Sequence, residues 1–77
     1  ALLMVQAAPV PETVEARKFI VRDAAGKARV ELAVREQGPG LLLKDADGKE
    51  RAWLLATEAG PALALYDADG TPLFSAP

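Results

Sequence analysis

The chain has 77 residues, 51% of them apolar and 26% charged, and its 9 Lys and Arg against 11 Asp and Glu leave a net charge of −2. That length makes one small domain, whose single core supplies only a few kcal/mol of net stability unless cross-links, metals or association add to it. Cysteine and histidine are both absent, which excludes disulfides, thiolate chemistry and the usual near-neutral general base, and the mixed, slightly acidic charge gives no electrostatic grip on nucleic acid.

Residues 1–15 read as an apolar N-terminal remnant followed by a Pro-containing linker. Ala1-Leu2-Leu3-Met4-Val5 looks like the tail of a longer apolar segment, and Val5-Gln6-Ala7 carries small or branched residues at the positions a signal peptidase reads. Five residues are too few to span a bilayer. Pro9 and Pro11 favour extended backbone in the residues before them, as a linker requires. The expectation is an extracytoplasmic protein, in the periplasm or cell envelope, whose start is a signal remnant or the end of a membrane anchor. An ordinary cytosolic chain with a frayed apolar terminus is the alternative.

From residue 16 the chain repeats every 22 residues. Asp23, Asp45 and Asp67 keep that step, as do Gly26, Gly48 and Gly70, and Phe19, Leu41 and Leu63. Gly38 and Gly60, Pro39 and Pro61, and Arg29 and Arg51 follow it too. A fixed period fixes the architecture before any local assignment. Three repeats result, at about 16–37, 38–59 and 60–77, together forming one domain over 16–77.

Each repeat opens on a short β-forming or leucine-rich run: Phe19-Ile20-Val21, Leu41-Leu42-Leu43, Leu63-Ala64-Leu65-Tyr66. These runs are too short to stand as helices in water. Each is followed by a turn with Asp first and Gly fourth, the chemistry of a type I turn closed by a left-handed glycine. A second run then returns. The predicted fold is all-β: three antiparallel hairpins, about Ala16–Val34, Leu41–Ala56 and Leu63–Ala76, giving six strands in a meander or a small prism or barrel. Gly-Pro loops at Glu36–Gly40 and Glu58–Pro61 join them.

Asp45-Ala46-Asp47-Gly48 and Asp67-Ala68-Asp69-Gly70 share the opening of a calcium loop. Such a loop needs a further oxygen at position five and a bidentate Glu at position twelve. Lys49 and Thr71 stand at position five, and Ala56 at the twelfth from Asp45. Turn chemistry explains all three copies, so no metal is expected.

Alternation along the strands sorts residues onto two sides. One side collects Phe19, Val21, Val30, Leu32, Val34, Leu41, Leu43, Ala52, Leu54, Leu63, Leu65 and Phe74, is apolar throughout, and is the expected core. The other is largely charged in the first repeat, with Ile20, Arg22, Arg29 and Glu31. In the next two it reads Leu42, Lys44, Arg51, Trp53, Leu55, Tyr66 and Leu73, and turns apolar in Leu42, Trp53, Leu55, Tyr66 and Leu73. A contiguous apolar group on a surface marks a contact, so these five are the candidate partner-binding residues. The alternative is a sheet that curls to bury both sides within the fold.

No catalytic constellation stands out. The hydroxyls of Thr13, Thr57, Thr71, Ser75 and Tyr66 have no histidine to activate them. The repeated carboxylates are explained as turn residues. Gly38-Pro39-Gly40 is not followed by the Lys and Ser/Thr of a phosphate loop. No enzyme activity and no cofactor are expected.

The segments Asp45-Ala46-Asp47-Gly48-Lys49-Glu50-Arg51-Ala52-Trp53-Leu54 and Leu65-Tyr66-Asp67-Ala68-Asp69-Gly70 resemble a repeat of uncharacterised bacterial envelope proteins. There a signal or anchor precedes several Leu-x-Leu-x-Asp-x-x-Gly-Lys-x-Arg-x-x-Leu hairpins. The second segment is also similar to YD repeats, although three copies are too few for a YD shell and Thr71-Pro72 replaces the basic residue in the last copy. The resemblance spans about residues 16–77 and implies an envelope-located, non-catalytic repeat module.

These readings converge on a structural subunit that docks on other protein subunits of a larger extracytoplasmic or membrane-associated complex, with no nucleic acid partner. Two alternatives stand beside it: a homo-oligomeric surface fibre or adhesin, and a small-ligand or carbohydrate-binding module using Trp53 and Tyr66 as a platform.

Overall fold

In a computed structural model that describes residues 9–77, the chain forms six β-strands: β1 Lys18–Arg22, β2 Ala28–Arg35, β3 Gly38–Lys44, β4 Glu50–Thr57, β5 Gly60–Tyr66 and β6 Pro72–Ala76. They pair antiparallel in sequence order as one open sheet. The fold is therefore all-β, and of the expected arrangements the meander is the one formed: β1 and β6 are edges and do not close a barrel. The expected apolar remnant and signal-peptidase positions lie outside the described residues. Residues 9–17 are exposed and precede the first strand.

The three Asp–Gly corners are copies of one device. Gly26, Gly48 and Gly70 donate backbone N–H bonds to the carbonyls of Asp23, Asp45 and Asp67 at 2.9, 3.0 and 3.1 Å. Each Asp N–H in turn donates to the carbonyl four residues on, at 2.9–3.0 Å. The glycines sit at φ between 85° and 89°, where a side chain would be strained. Each Asp Oδ1 accepts the N–H groups two and four residues ahead, as from Asp47 at 2.9 Å and Lys49 at 3.0 Å in the middle copy. The register shifts beside each turn, between Val21 and Arg22, Leu43 and Lys44, and Leu65 and Tyr66, so that Arg29, Arg51 and Leu73 are the bulged residues of the returning strands.

The joints between repeats are tighter than expected. The Gly-Pro stretches are not loops: Gly38-Pro39-Gly40 begins β3 and Gly60-Pro61 begins β5. Arg35 pairs with Gly38 and Thr57 with Gly60, leaving two-residue links, Glu36-Gln37 and Glu58-Ala59. Proline at the second strand position costs little where its missing donor meets no partner.

The register carries same-side residues straight across the sheet. One row runs Phe19, Leu32, Leu41, Leu54, Leu63, Ala76, and the next Val21, Val30, Leu43, Ala52, Leu65, Phe74. Val34, Pro39, Ala56 and Pro61 form a shorter third row on that side. The opposite side holds the row Ile20, Glu31, Leu42, Trp53, Ala64, Ser75.

Burial reverses the expected assignment of the two sides. The all-apolar side, expected as the core, is open: Val21, Leu32, Leu54 and Phe74 are 57%, 47%, 48% and 50% exposed. The buried apolar residues, Ala33, Leu42 and Ala64, all lie on the opposite side. The reason is the single layer. With nothing stacked on the sheet, a side chain is covered only by its neighbours on the same side. Valines and leucines do not reach over one another, whereas Trp53, Tyr66, Arg35 and Lys44 can lean over alanine and glycine. Alternation identified a coherent apolar side correctly but could not say what covers it.

Candidate interaction surfaces

The side bearing the five expected contact residues is a self-packed layer. Leu42 is 8% exposed, Trp53, Leu55 and Tyr66 are half-buried, and Leu73, in the edge strand β6, is 67% exposed. Trp53 Nε1 donates to Tyr66 Oη at 3.1 Å. Tyr66 is two residues beyond Ala64, the cross-strand partner of Trp53, so the indole reaches its acceptor across Ala64, which is 1% exposed. Gly40 faces Leu55, and a Cβ at Gly40 would run into the Leu55 side chain, so glycine there is what lets Leu55 lie flat. The structure thus brings Leu42, Trp53, Leu55 and Tyr66 together and leaves Leu73 apart at the edge. The hollow beside Trp53, lined in part by Arg35, Leu42, Glu50 and Leu55, measures about 220 Å³, below the range of roughly 300–1,000 Å³ that ligand sites occupy.

The charged part of this side is organised by Glu31. Its carboxylate pairs with Lys44 at 2.9 Å, Arg35 at 3.2 Å and Lys18 at 4.0 Å, tying β1, β2 and β3. The hydrogen bond from Lys44, reinforced by the three positive charges, holds the Glu31 carboxyl below its ordinary pKa against a smaller opposing effect of desolvation.

A directional ladder links successive hairpins. Arg29 donates through Nε to the Lys44 carbonyl at 3.0 Å, and Arg51 repeats this one period later to the Tyr66 carbonyl at 2.9 Å. Each guanidinium also meets the turn Asp of its own hairpin, Arg29 with Asp23 at 3.3 Å and Arg51 with Asp45 at 3.6 Å. Lys27 Nζ donates to the Ala46 carbonyl at 2.9 Å, and Lys49 Nζ to Ala68 at 3.4 Å. The third copy has Thr71 and Leu73 in these places and ends the series. The turn carboxyls of Asp23 and Asp45 lie below their ordinary pKa, chiefly because the Lys27 and Lys49 N–H groups bond the charged form; partial burial opposes this, and the arginines add to the lowering. The 22-residue repetition of Arg29 and Arg51 was visible in the sequence. Their carbonyl bonds to the next hairpin, and the Glu31 hub, were not, because both depend on bulge geometry and on register between strands.

The other side is the largest uncovered feature. Besides its open rows it has a shallow apolar groove of about 350 Å³, lined by Leu32, Pro39, Leu41, Leu54, Ala56 and Pro61 among others. No charged residue stands in any of its three rows. Among the described residues no three acidic side chains converge where a cation could be held. Compared with known proteins, the chain matches no family model, no curated protein and no solved structure.

Proposed function

We propose that the chain is a non-catalytic structural module that works by protein–protein contact, as a subunit of a larger extracytoplasmic or membrane-associated assembly. The observation that carries this reading is the open apolar side, three rows without a charge in which Val21, Leu32, Leu54 and Phe74 are about half exposed. A contiguous apolar surface of that extent marks an interaction site. On this reading the main contact lies on the side of Leu32, Leu41 and Leu54 rather than on that of Leu42 and Trp53. Trp53, Leu55, Tyr66 and the edge residue Leu73 are then a secondary contact on the outward side. Ligand binding at Trp53 and Tyr66 is less favoured, because the two rings bond each other and the hollow beside them is small.

The test is recovery of the protein from its native source with whatever accompanies it. Wild-type chain should bring other envelope subunits with it. Leu41→Glu should lose them, and Trp53→Ala should weaken their retention only modestly. Recovery of the same subunits by Leu41→Glu and wild type would refute the reading.

A further inference from the structure

We propose that the apolar side is covered by a second copy of this chain, two sheets packing face to face as a two-layer sandwich. The proposal rests on the reading of the chain as an interaction module and names its first partner. Three observations support a copy of itself as the occupant.

The first is area. At roughly 4.8 Å between strands and 6.8 Å between same-side neighbours, each position covers about 33 Å², so two rows of six and one of four present about 500 Å² in flat projection. Two copies together bury about 1,000 Å² before side-chain relief is counted, which reaches the threshold for a specific interface.

The second is shape. A two-fold axis parallel to the strands, above the β3–β4 junction, lays β1 over the partner's β6, β2 over β5 and β3 over β4. Along the rows this puts Phe19 over Ala76 and Leu43 over Ala52, large against small, with Phe74 over Val21, Val30 over Leu65 and Leu32 over Leu63 between them. Leu41 meets Leu54 at the centre. Interlocking of large with small is how stacked layers reach interior density, and aligned sheets tolerate the rotation of about 30° that strand twist imposes.

The third is charge. The rows carry none, so a two-fold contact opposes no like charges and leaves no ion unpaired on this side. The Glu31 cluster and the Trp53–Tyr66 pair remain outward in both copies.

Sedimentation equilibrium decides the matter. The wild-type chain should sediment as twice its 8.1 kDa. Leu41→Glu and Leu54→Lys should each sediment as monomers, and an equimolar mixture should regain the dimer, because Glu at 41 of one copy then faces Lys at 54 of the other. A folded wild-type monomer at about 0.5 mM, a ladder of larger open assemblies, or failure of the folded variants to recombine overturns the proposal. If either variant does not fold, the wild type alone answers. Its melting temperature should rise by several degrees over a hundredfold increase in chain concentration, as linkage to dimerisation requires, and an invariant melting temperature overturns the dimer. A wild-type monomer whose Leu41→Glu variant loses its native partners removes the dimer and keeps the module, whereas a monomer whose variant retains them removes both.

Discussion

Replacing Leu42 by alanine is the most informative single perturbation of the sheet, because among the described residues Leu42 is the one large aliphatic residue that is buried, at 8% exposure. It is flanked in its row by Glu31 and Trp53. The change removes three carbons; at about 0.8 kcal/mol each this is roughly 2.4 kcal/mol. A residual cavity adds to that cost, but only slightly in a single layer whose neighbours can relax into the gap, so the expected loss is about 2–3 kcal/mol. Leu54→Ala makes the same chemical change on the open side, where the residue is 48% exposed. In an isolated sheet it should cost about half as much, near 1 kcal/mol. Urea unfolding followed by Trp53 fluorescence at low chain concentration measures both. At high concentration, with the open side covered, the Leu54→Ala cost should climb to that of Leu42→Ala. A Leu42→Ala loss under about 0.5 kcal/mol at every concentration, or a Leu54→Ala loss exceeding it in dilute solution, would refute the burial argument.

Other outcomes follow from the same geometry. Trp53→Phe keeps the ring over Ala64 but removes the donor to Tyr66, so it should cost about 1 kcal/mol, checked by thermal unfolding; no loss would mean that the bond contributes nothing. Ala64→Leu has no room at 1% exposure, and should cost about 1–3 kcal/mol by pushing the indole aside, with a red shift of Trp53 emission. Gly48→Ala places a side chain at φ +85° and should cost about 1–2 kcal/mol, measured by urea midpoint, although open space surrounds the position. Acid should weaken the fold in a defined window. The carboxyls of Asp23, Glu31 and Asp45 are held below their ordinary pKa by their hydrogen-bond donors, so the stability they contribute is fully present above about pH 4–5 and is lost as pH falls through their lowered folded-state values. Melting temperature measured from pH 6 to 2 should therefore fall; a rise would contradict the turn and Glu31 geometry.

The 22-residue period made the architecture legible. Because Asp23, Asp45 and Asp67 recur with Gly26, Gly48 and Gly70, three identical corners and six strands follow from the sequence, and turn chemistry is local enough for the structure to keep them. The Gly-Pro joints were harder. Gly38 and Gly60 signal loops by composition, yet each sits at a positive φ immediately after a two-residue link and starts a strand. Composition alone does not separate a glycine that ends a turn from one that lengthens a loop. The two sides were correctly sorted and then wrongly ranked. Alternation reports which residues share a side, but burial depends on what is stacked there. In a single layer, Trp53 leaning across Ala64 covers more than a row of leucines can. The links from Arg29 to the Lys44 carbonyl and from Arg51 to the Tyr66 carbonyl needed, beyond the glycine bulge that the turn chemistry implies, the register between neighbouring hairpins.

The two sides of the sheet can be told apart directly by thiol reactivity, since the chain has no cysteine of its own. Leu42→Cys and Leu54→Cys should be alkylated in dilute solution at rates differing by at least tenfold. The thiol at 54 should react nearly as fast as one in an unfolded peptide, and slow sharply once the chain is concentrated or returned to its assembly. A slow thiol at 54 and a fast one at 42 in the dilute chain would contradict the account.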